Sequence, residues 1–356
     1  MAKRRGDAGV TAVPGLRSGG WQRLGFVWAA VLLLAAGAAA ALQYLGPVPR
    51  PEASALAGAL PNLLAEKAPA NPAHATGQPP PAALHPVPVP RVAAPEPALL
   101  EPSGAFPPAL LPRVATDGRL ARIVYAGPAP TVEPGQKRVA LLLSGFGLSE
   151  RDSREALEQL PGPVSFAVSA YADQPALLDV ARAAGHELLA SVPMEPQGYP
   201  LNDEGVHSMR TGLTREQNMK MLEWALGRTA GAVGATGASD GMKGERFADV
   251  SAAIDPALDE IERRGLLYID PRPGRFTTRA GLPARPVDVV LDEAPGRAEI
   301  EGKLLTLERV AREQGSAIGL AGPLRPVTVE RIAAWTKTLG QKGLVLVPVS
   351  TLVEKR

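Results

Sequence analysis

In the stretch RVALLLSGFGLSERDSREALEQL, residues 138–160, an apolar run ends in Ser144-Gly145-Phe146-Gly147 before a polar, helix-like segment. A turn at the end of a strand in an α/β protein is where catalytic groups collect. Here it offers a hydroxyl and two glycines but no carboxylate. The matching ends of the later apolar runs carry Ser191-Val192-Pro193-Met194-Glu195-Pro196, the GATGASDG of 234–241, Asp270-Pro271-Arg272, Asp292-Glu293 and Ala321-Gly322-Pro323. Three chemistries can be tried on this set. A dinucleotide site needs G-x-G-x-x-G, and Glu150 stands where the third glycine belongs. A serine hydrolase needs a nucleophile, a base and an orienting acid. Neither Ser144 nor Ser191 lies in a G-x-S-x-G turn, and His186 falls at the entry of a strand, the wrong end of the sheet. Zinc needs several histidine or carboxylate ligands; no strand end carries a histidine.

The elements that position these residues follow from alternating apolar and polar texture. Short apolar runs predict strands at 139–144, 164–169, 187–192, 231–236, 266–270, 288–292, 316–320 and 344–348. The segments between them predict helices at 149–160, 174–185, 214–229, 249–264, 297–314 and 328–340. Ser149 suits an N-cap, Thr214 with Gln217 forms a capping box, and Gly185, Gly265, Gly315 and Gly343 stand where helices should stop. Strands that are apolar throughout and separated by helices imply a parallel sheet covered on both faces. The fold class is therefore α/β: a distorted (β/α) barrel, with a doubly wound open sheet as the second choice.

The chain before this domain reads differently. Residues 1–23 form a basic tail with Lys3, Arg4, Arg5, Arg17 and Arg23 against Asp7. Residues 24–46 contain no charge, and an apolar run of that length spans a bilayer core. The basic flank predicts a single-pass inner-membrane anchor of a bacterium, with everything after it in the periplasm. A cleaved signal with small residues at Ala38–Ala41 is the rival, and the length of the run favours the anchor. Residues 47–110 read as a Pro/Ala-rich disordered linker, and 111–137, less dense in proline, as an N-terminal arm to the domain at 138–356. His74 and His85 fall in the linker and are expected to be solvated. The chain has no Cys, which removes disulfides and Cys-ligated zinc. Its net charge of +2 contains +4 from the tail, leaving −2 for the rest, so no basic face for nucleic acid is expected.

From Arg138 onward the chain resembles the divergent polysaccharide deacetylase family. The pieces that carry the likeness, in order, are VALLLSGFGLS, LPGPVSFAVSAYA, ARAAGHELLASVPMEPQGYP, RGLLYIDPRP, VDVVLD, AIGLAGP and GLVLVPVS. The most specific is Pro193–Pro196 with Tyr199-Pro200. The DGRLARIVYAGPAP arm also looks like the family's segment ahead of the barrel. The resemblance implies a distorted barrel, a carbohydrate substrate, and a metal-held water that attacks an N-acetyl carbonyl with a carboxylate base and a histidine acid. The departures fall on that machinery. Ser144-Gly145 replaces an Asp-Asp turn, Ser191 a histidine ahead of the PMEP segment, Ala238 the histidine of an Asn-His-Met-Gly turn, and Gly322 the histidine of Gly-His-Pro.

These replacements lead us to expect a non-catalytic relative that binds cell-wall glycan or an envelope partner, with no cofactor. Two alternatives stand beside it. One is an active deacetylase whose zinc or other divalent metal has shifted to remaining carboxylates. The other is a purely structural envelope module. The groove candidates are Glu195, Asp240, Asp270, Arg272 and Asp292. Each has a plainer role available: Glu195 in a turn, Asp270 with Arg272 as an ion pair, Asp292 as a helix cap. His186 and Asn218 are expected to be structural, and Trp224 and Trp335 to be buried on helices.

Overall fold

The computed structural model describes Trp28 and residues 91–275, 280–294 and 296–353. The chain divides into two units, Met1–Ala82 and Ala83–Arg356, and the fold below belongs to the second. The expected anchor at 24–46 lies outside the described residues apart from Trp28. Among the described residues, no helix is long and apolar enough to cross a membrane.

Each of the eight expected strands is present. β1 (Leu100–Pro102) and β2 (Leu110–Pro112) form a small antiparallel hairpin ahead of the main sheet. The sheet contains β3 (Lys137–Phe146), β4 (Ser165–Val168), β5 (Leu188–Ser191), β6 (Gly234–Thr236), β7 (Leu267–Asp270), β8 (Ala284–Pro286), β9 (Val289–Val290), β10 (Ser316–Ala321) and β11 (Leu344–Leu346). Its order is β8-β7-β6-β5-β4-β3-β10-β9, with β11 beside the start of β3. All of its pairings are parallel. β8 and β9 stand at opposite edges of this order yet are consecutive in sequence. The Val287 N–H donates to the Asp270 carbonyl and the Asp288 N–H to the Ile318 carbonyl. One bent segment, 284–290, thus ties β7 to β10 and curls the sheet into a barrel. The open-sheet alternative is set aside. The sequence missed β8 and the β1–β2 hairpin, short strands that contain or adjoin proline (Pro102, Pro112, Pro286) and lack a continuous apolar run.

Helices alternate with the strands: α1 (Ala121–Val124), α2 (Glu150–Gln159), α3 (Pro175–Ala183), α4 (Arg215–Leu226), α5 (Glu245–Ala248), α6 (Ser251–Arg263), α7 (Arg297–Gln314), α8 (Pro326–Thr336) and α9 (Val349–Leu352). Ser149 caps α2 by accepting from the Asp152 N–H, and the Thr214–Gln217 capping box opens α4. β3 shows why its sequence is apolar throughout. Val139, Leu141 and Leu143 pack with Ile300, Leu304 and Leu307 of α7, while Ala140 and Leu142 pack in a second core with Ala167, Leu189, Ile318 and Leu320. Ser144 continues the Ala140–Leu142 side by strand alternation.

Among the described residues, packing is already present at Val92, ahead of the expected start of the arm at Leu111. Val92 and Leu99 are buried, and Tyr125 accepts a hydrogen bond from the Glu96 N–H at 2.8 Å. Residues 91–110 therefore belong to the domain, not to the linker. One buried carboxylate ties three separate regions together. Glu187 accepts from the Gly127 N–H at 2.9 Å, the Ser165 hydroxyl at 2.8 Å, and the Ser350 N–H at 3.0 Å and hydroxyl at 2.5 Å. It joins the arm, β4 and α9 at the start of β5. Glu187→Ala would leave those buried donors without an acceptor, and a loss of about 3 kcal/mol is expected in urea unfolding.

A buried cavity mouth at the strand ends

The cavity at the C-terminal ends of β3, β6 and β10 has a volume of about 240 Å³ and is lined by Ser144, Asp240, Lys243, Asp292, Glu293, Gly322 and Arg325, among others. Four of the expected positions, Ser144, Asp240, Asp292 and Gly322, thus meet there. Gly145 stands beside them: a Cβ on it would lie 3.5 Å from Asp240 Oδ1 and 3.3 Å from Pro323. Its φ of +83° and a register break between Ser144 and Phe146 turn the chain sharply at the end of β3.

Ser144 and Gly322 fit each other closely. A Cβ on Gly322 would sit 2.1 Å from Ser144 Oγ and 2.8 Å from the Ser144 carbonyl. At a φ of +145°, the position also disfavours any side chain. The place where the resemblance would put an imidazole is thus occupied by the serine.

Of the remaining carboxylates, Asp292 is engaged by several partners and Asp240 through one oxygen. Asp292 accepts from the Gly322 N–H at 3.0 Å and the Thr328 hydroxyl at 3.1 Å, with Arg325 3.6 Å away. Burial raises its pKa; the Gly322 N–H, the Thr328 hydroxyl and Arg325 oppose the rise. Asp240 Oδ2 accepts from Ser169 at 3.1 Å, and burial raises this pKa too, opposed by that hydroxyl. Asp292 begins no helix here; it bridges the ends of β9 and β10 to α8.

The other candidates do not line the cavity. Glu195 accepts from the Thr211 N–H and hydroxyl at 2.7 and 2.6 Å and pairs with Arg246 at 3.0 Å. It fixes the loop after β5. Asp270 receives the backbone N–H, Nε and Nη2 of Arg272 at 3.0, 2.9 and 2.7 Å, and Arg272 also reaches Asp249 at 2.7 Å. That is a buried ion-pair network. Ser191 is buried opposite Thr236, and its hydroxyl has no partner among the described residues. Ala238 is buried, its N–H donating to Thr236 Oγ1. His186 is held by the Val164 carbonyl at 2.8 Å, with burial lowering its pKa, and Asn218 pins Arg210 through both backbone groups. Trp335 is buried and donates to Glu308, whereas Trp224 is only half-buried and stacks on His207 with centroids 4.0 Å apart.

The divalent metal implied by the resemblance can be tested on this donor set. Among the described residues, no three His, Cys, Asp or Glu side chains come together in a way that could hold a metal ion. Serine, glycine and alanine stand where the resemblance would place ligands; Asp292 is committed to the Gly322 N–H, the Thr328 hydroxyl and Arg325, and Asp240 to the Ser169 hydroxyl through one oxygen. The residues present do not fit a catalytic metal.

Residues 141–353 match the model of the divergent polysaccharide deacetylase family. The chain belongs to that family. A solved structure of an uncharacterized protein from Agrobacterium tumefaciens is 31% identical, with a TM-score of 0.63, covering 69% of this chain and 100% of that one. The catalytic domain of a peptidoglycan N-acetylglucosamine deacetylase from Eubacterium rectale overlaps more loosely. It is 15% identical with a TM-score of 0.38, over 62% of this chain and 92% of that one. A family 4 carbohydrate esterase from Streptomyces lividans is 14% identical with a TM-score of 0.36, over 58% and 90%. These two likenesses are too loose to assign residues. No curated protein matches the chain.

One member of the domain's polar interior was not legible in the sequence. Glu204 sits in a loop whose Asp, Asn and Gly content reads as solvated, yet it is 5% exposed. Burial raises its pKa to about 9; the Met194 N–H opposes this, and the nearby Asp240 carboxylate reinforces it. An acid with a raised folded pKa stabilises the fold fully below its unfolded value, 4.5, and loses that contribution as pH rises through about 9. Glu204→Gln keeps the shape and removes the titration. The variant should melt at least ~2 °C above the parent at a pH of about 8 and show a flatter decline of Tm with rising pH, measured by circular dichroism.

Proposed function

We propose that this chain is a non-catalytic member of its family that holds carbohydrate in the cavity at the strand ends. The observation that carries the reading is the packing of Gly322 on Ser144, which fills the position of the family's histidine with a neutral hydroxyl. Ala238, Ser191 and Gly145 extend the same change to the other expected ligand positions. Hydrolysis of an amide needs an activated water and a group to polarise the carbonyl; neither serine nor alanine supplies these. Carbohydrate recognition needs only hydroxyl and carboxylate partners in a concave site, and Ser144, Asp240, Asp292 and Glu293 offer them. In this proposal residues 24–46 tether the domain to a bacterial inner membrane, the proline-rich stretch spaces it from the bilayer, and the ligand is a cell-wall glycan.

The test uses the full chain, purified in detergent, with soluble peptidoglycan fragments. Saturable binding is expected by calorimetry, with no acetate released above a heat-inactivated control, either with or without added zinc. Zinc-dependent acetate release would overturn the non-catalytic reading, and absence of any glycan binding would overturn the carbohydrate reading.

A further inference from the structure

Arg325 is the open cation of the cavity and Asp292 the buried acid beside it. Both line the cavity, with side chains 40% and 1% exposed. Arg325 is unlike the arginines near it. Arg297 closes on Glu330 at 3.0 Å and Arg331 on Glu301 at 3.1 Å. Arg325 has one polar contact among the described residues: its Nη1 lies 3.6 Å from Asp292 Oδ2, too far for a hydrogen bond. The Asp292 oxygens are instead filled by the Gly322 N–H and the Thr328 hydroxyl. A guanidinium carries five N–H donors, and none of those on Arg325 has an acceptor among the described residues. Water reaches this side chain at the mouth of the cavity.

The backbone fixes where the guanidinium starts. Leu324 is buried in one core cluster with Val329 and Ile332 of α8. Pro326 opens that helix, and a residue before proline is held extended; Arg325 has a φ of −89° and a ψ of 139°. The Arg325 carbonyl accepts from the Val329 N–H at 3.0 Å. The charge of Asp292 then draws the side chain towards the cavity without using its donors.

Resting on the carbohydrate reading above, we propose that Arg325 pairs with a carboxylate carried by the bound saccharide, so that the cavity takes an acidic sugar in preference to its neutral ester. The guanidinium fork is planar and fits a carboxylate through two parallel hydrogen bonds. Five donors let it serve a ligand acid while Asp292 stays beside Nη1. The wall acids do not leave an uncompensated field at this point. Glu293 has Lys243 at 3.0 Å, and the Asp292 charge meets an N–H and a hydroxyl as well as Arg325. Asp240 accepts from Ser169, and its other oxygen is buried away from solvent. A neutral glycan offers the guanidinium only hydroxyl and carbonyl oxygens, which are weaker acceptors than a carboxylate.

Calorimetry of the full chain in detergent, in low salt at a pH of about 7 where a carboxylate is ionised, tests this with two probes. One is a peptidoglycan disaccharide whose lactyl carboxylate is free, and the other is its methyl ester. The acid should bind about tenfold more tightly, and Arg325→Gln should abolish the preference. The side chain is open to solvent, so the variant should keep the parent Tm. Equal binding, or preference for the ester, overturns the carboxylate site and leaves carbohydrate binding intact. Binding of neither probe overturns both readings. A preference that persists in a folded Arg325→Gln variant overturns the assignment to Arg325, and if that variant does not fold, the comparison of acid and ester on the parent chain still decides the proposal.

Discussion

β3 and β10 pair in parallel from Arg138 beside Ser316 to Leu143 beside Ala321, and the mouth of the barrel depends on that register. It delivers Ser144 and Gly322 to the same level, one residue beyond the last pair. The chain then has to leave both strands at once. A glycine in the left-handed region follows Ser144, and Gly322 precedes Pro323 at an angle that leaves no room for a side chain. The cavity is what remains between these two exits and the turn at Asp240. A slip of one residue would put the apolar Leu143 at the mouth and Ser144 among the helices.

The polar groups around the mouth are held by different means, and this decides what each can do. Asp292 is satisfied by an N–H, a hydroxyl and a nearby guanidinium. The Asp270–Arg272 pair is satisfied internally and by Asp249. Asp240 has one oxygen engaged and one free. Glu204, close enough to Asp240 to feel its charge, stays protonated across the neutral range because burial disfavours a second anion there. Groups whose bonds are complete stabilise the domain.

The opposite end of the barrel is built for stability. Glu187 gathers donors from the arm, β4 and α9, and Arg264 reaches both Glu101 and the Pro112 carbonyl of the β1–β2 hairpin. These long-range bonds anchor residues 91–137 to the domain. Residues 91–110, rich in proline and poor in periodicity, read as more linker, because partners such as Arg264, 163 residues from Glu101, lie far away in the sequence.

By itself the sequence determined the strand and helix succession, the parallel barrel and the family. Burial on both faces forces runs such as Val139–Leu143 to be apolar at every position, and helix caps such as Thr214 with Gln217 are local chemistry. The resemblance to that family also raised the expectation that Ser144, Gly145, Ser191, Ala238 and Gly322 stand in place of its ligands. Only the tertiary structure decided which acids are engaged and which is free. Glu195 and Asp270 stand at strand ends as Asp240 does, but their partners, Thr211 with Arg246 and Arg272 with Asp249, close on them through loops. Whether a carboxylate is a structural tie or a binding group depends on what the fold brings within hydrogen-bond reach, and residue type does not encode that distance.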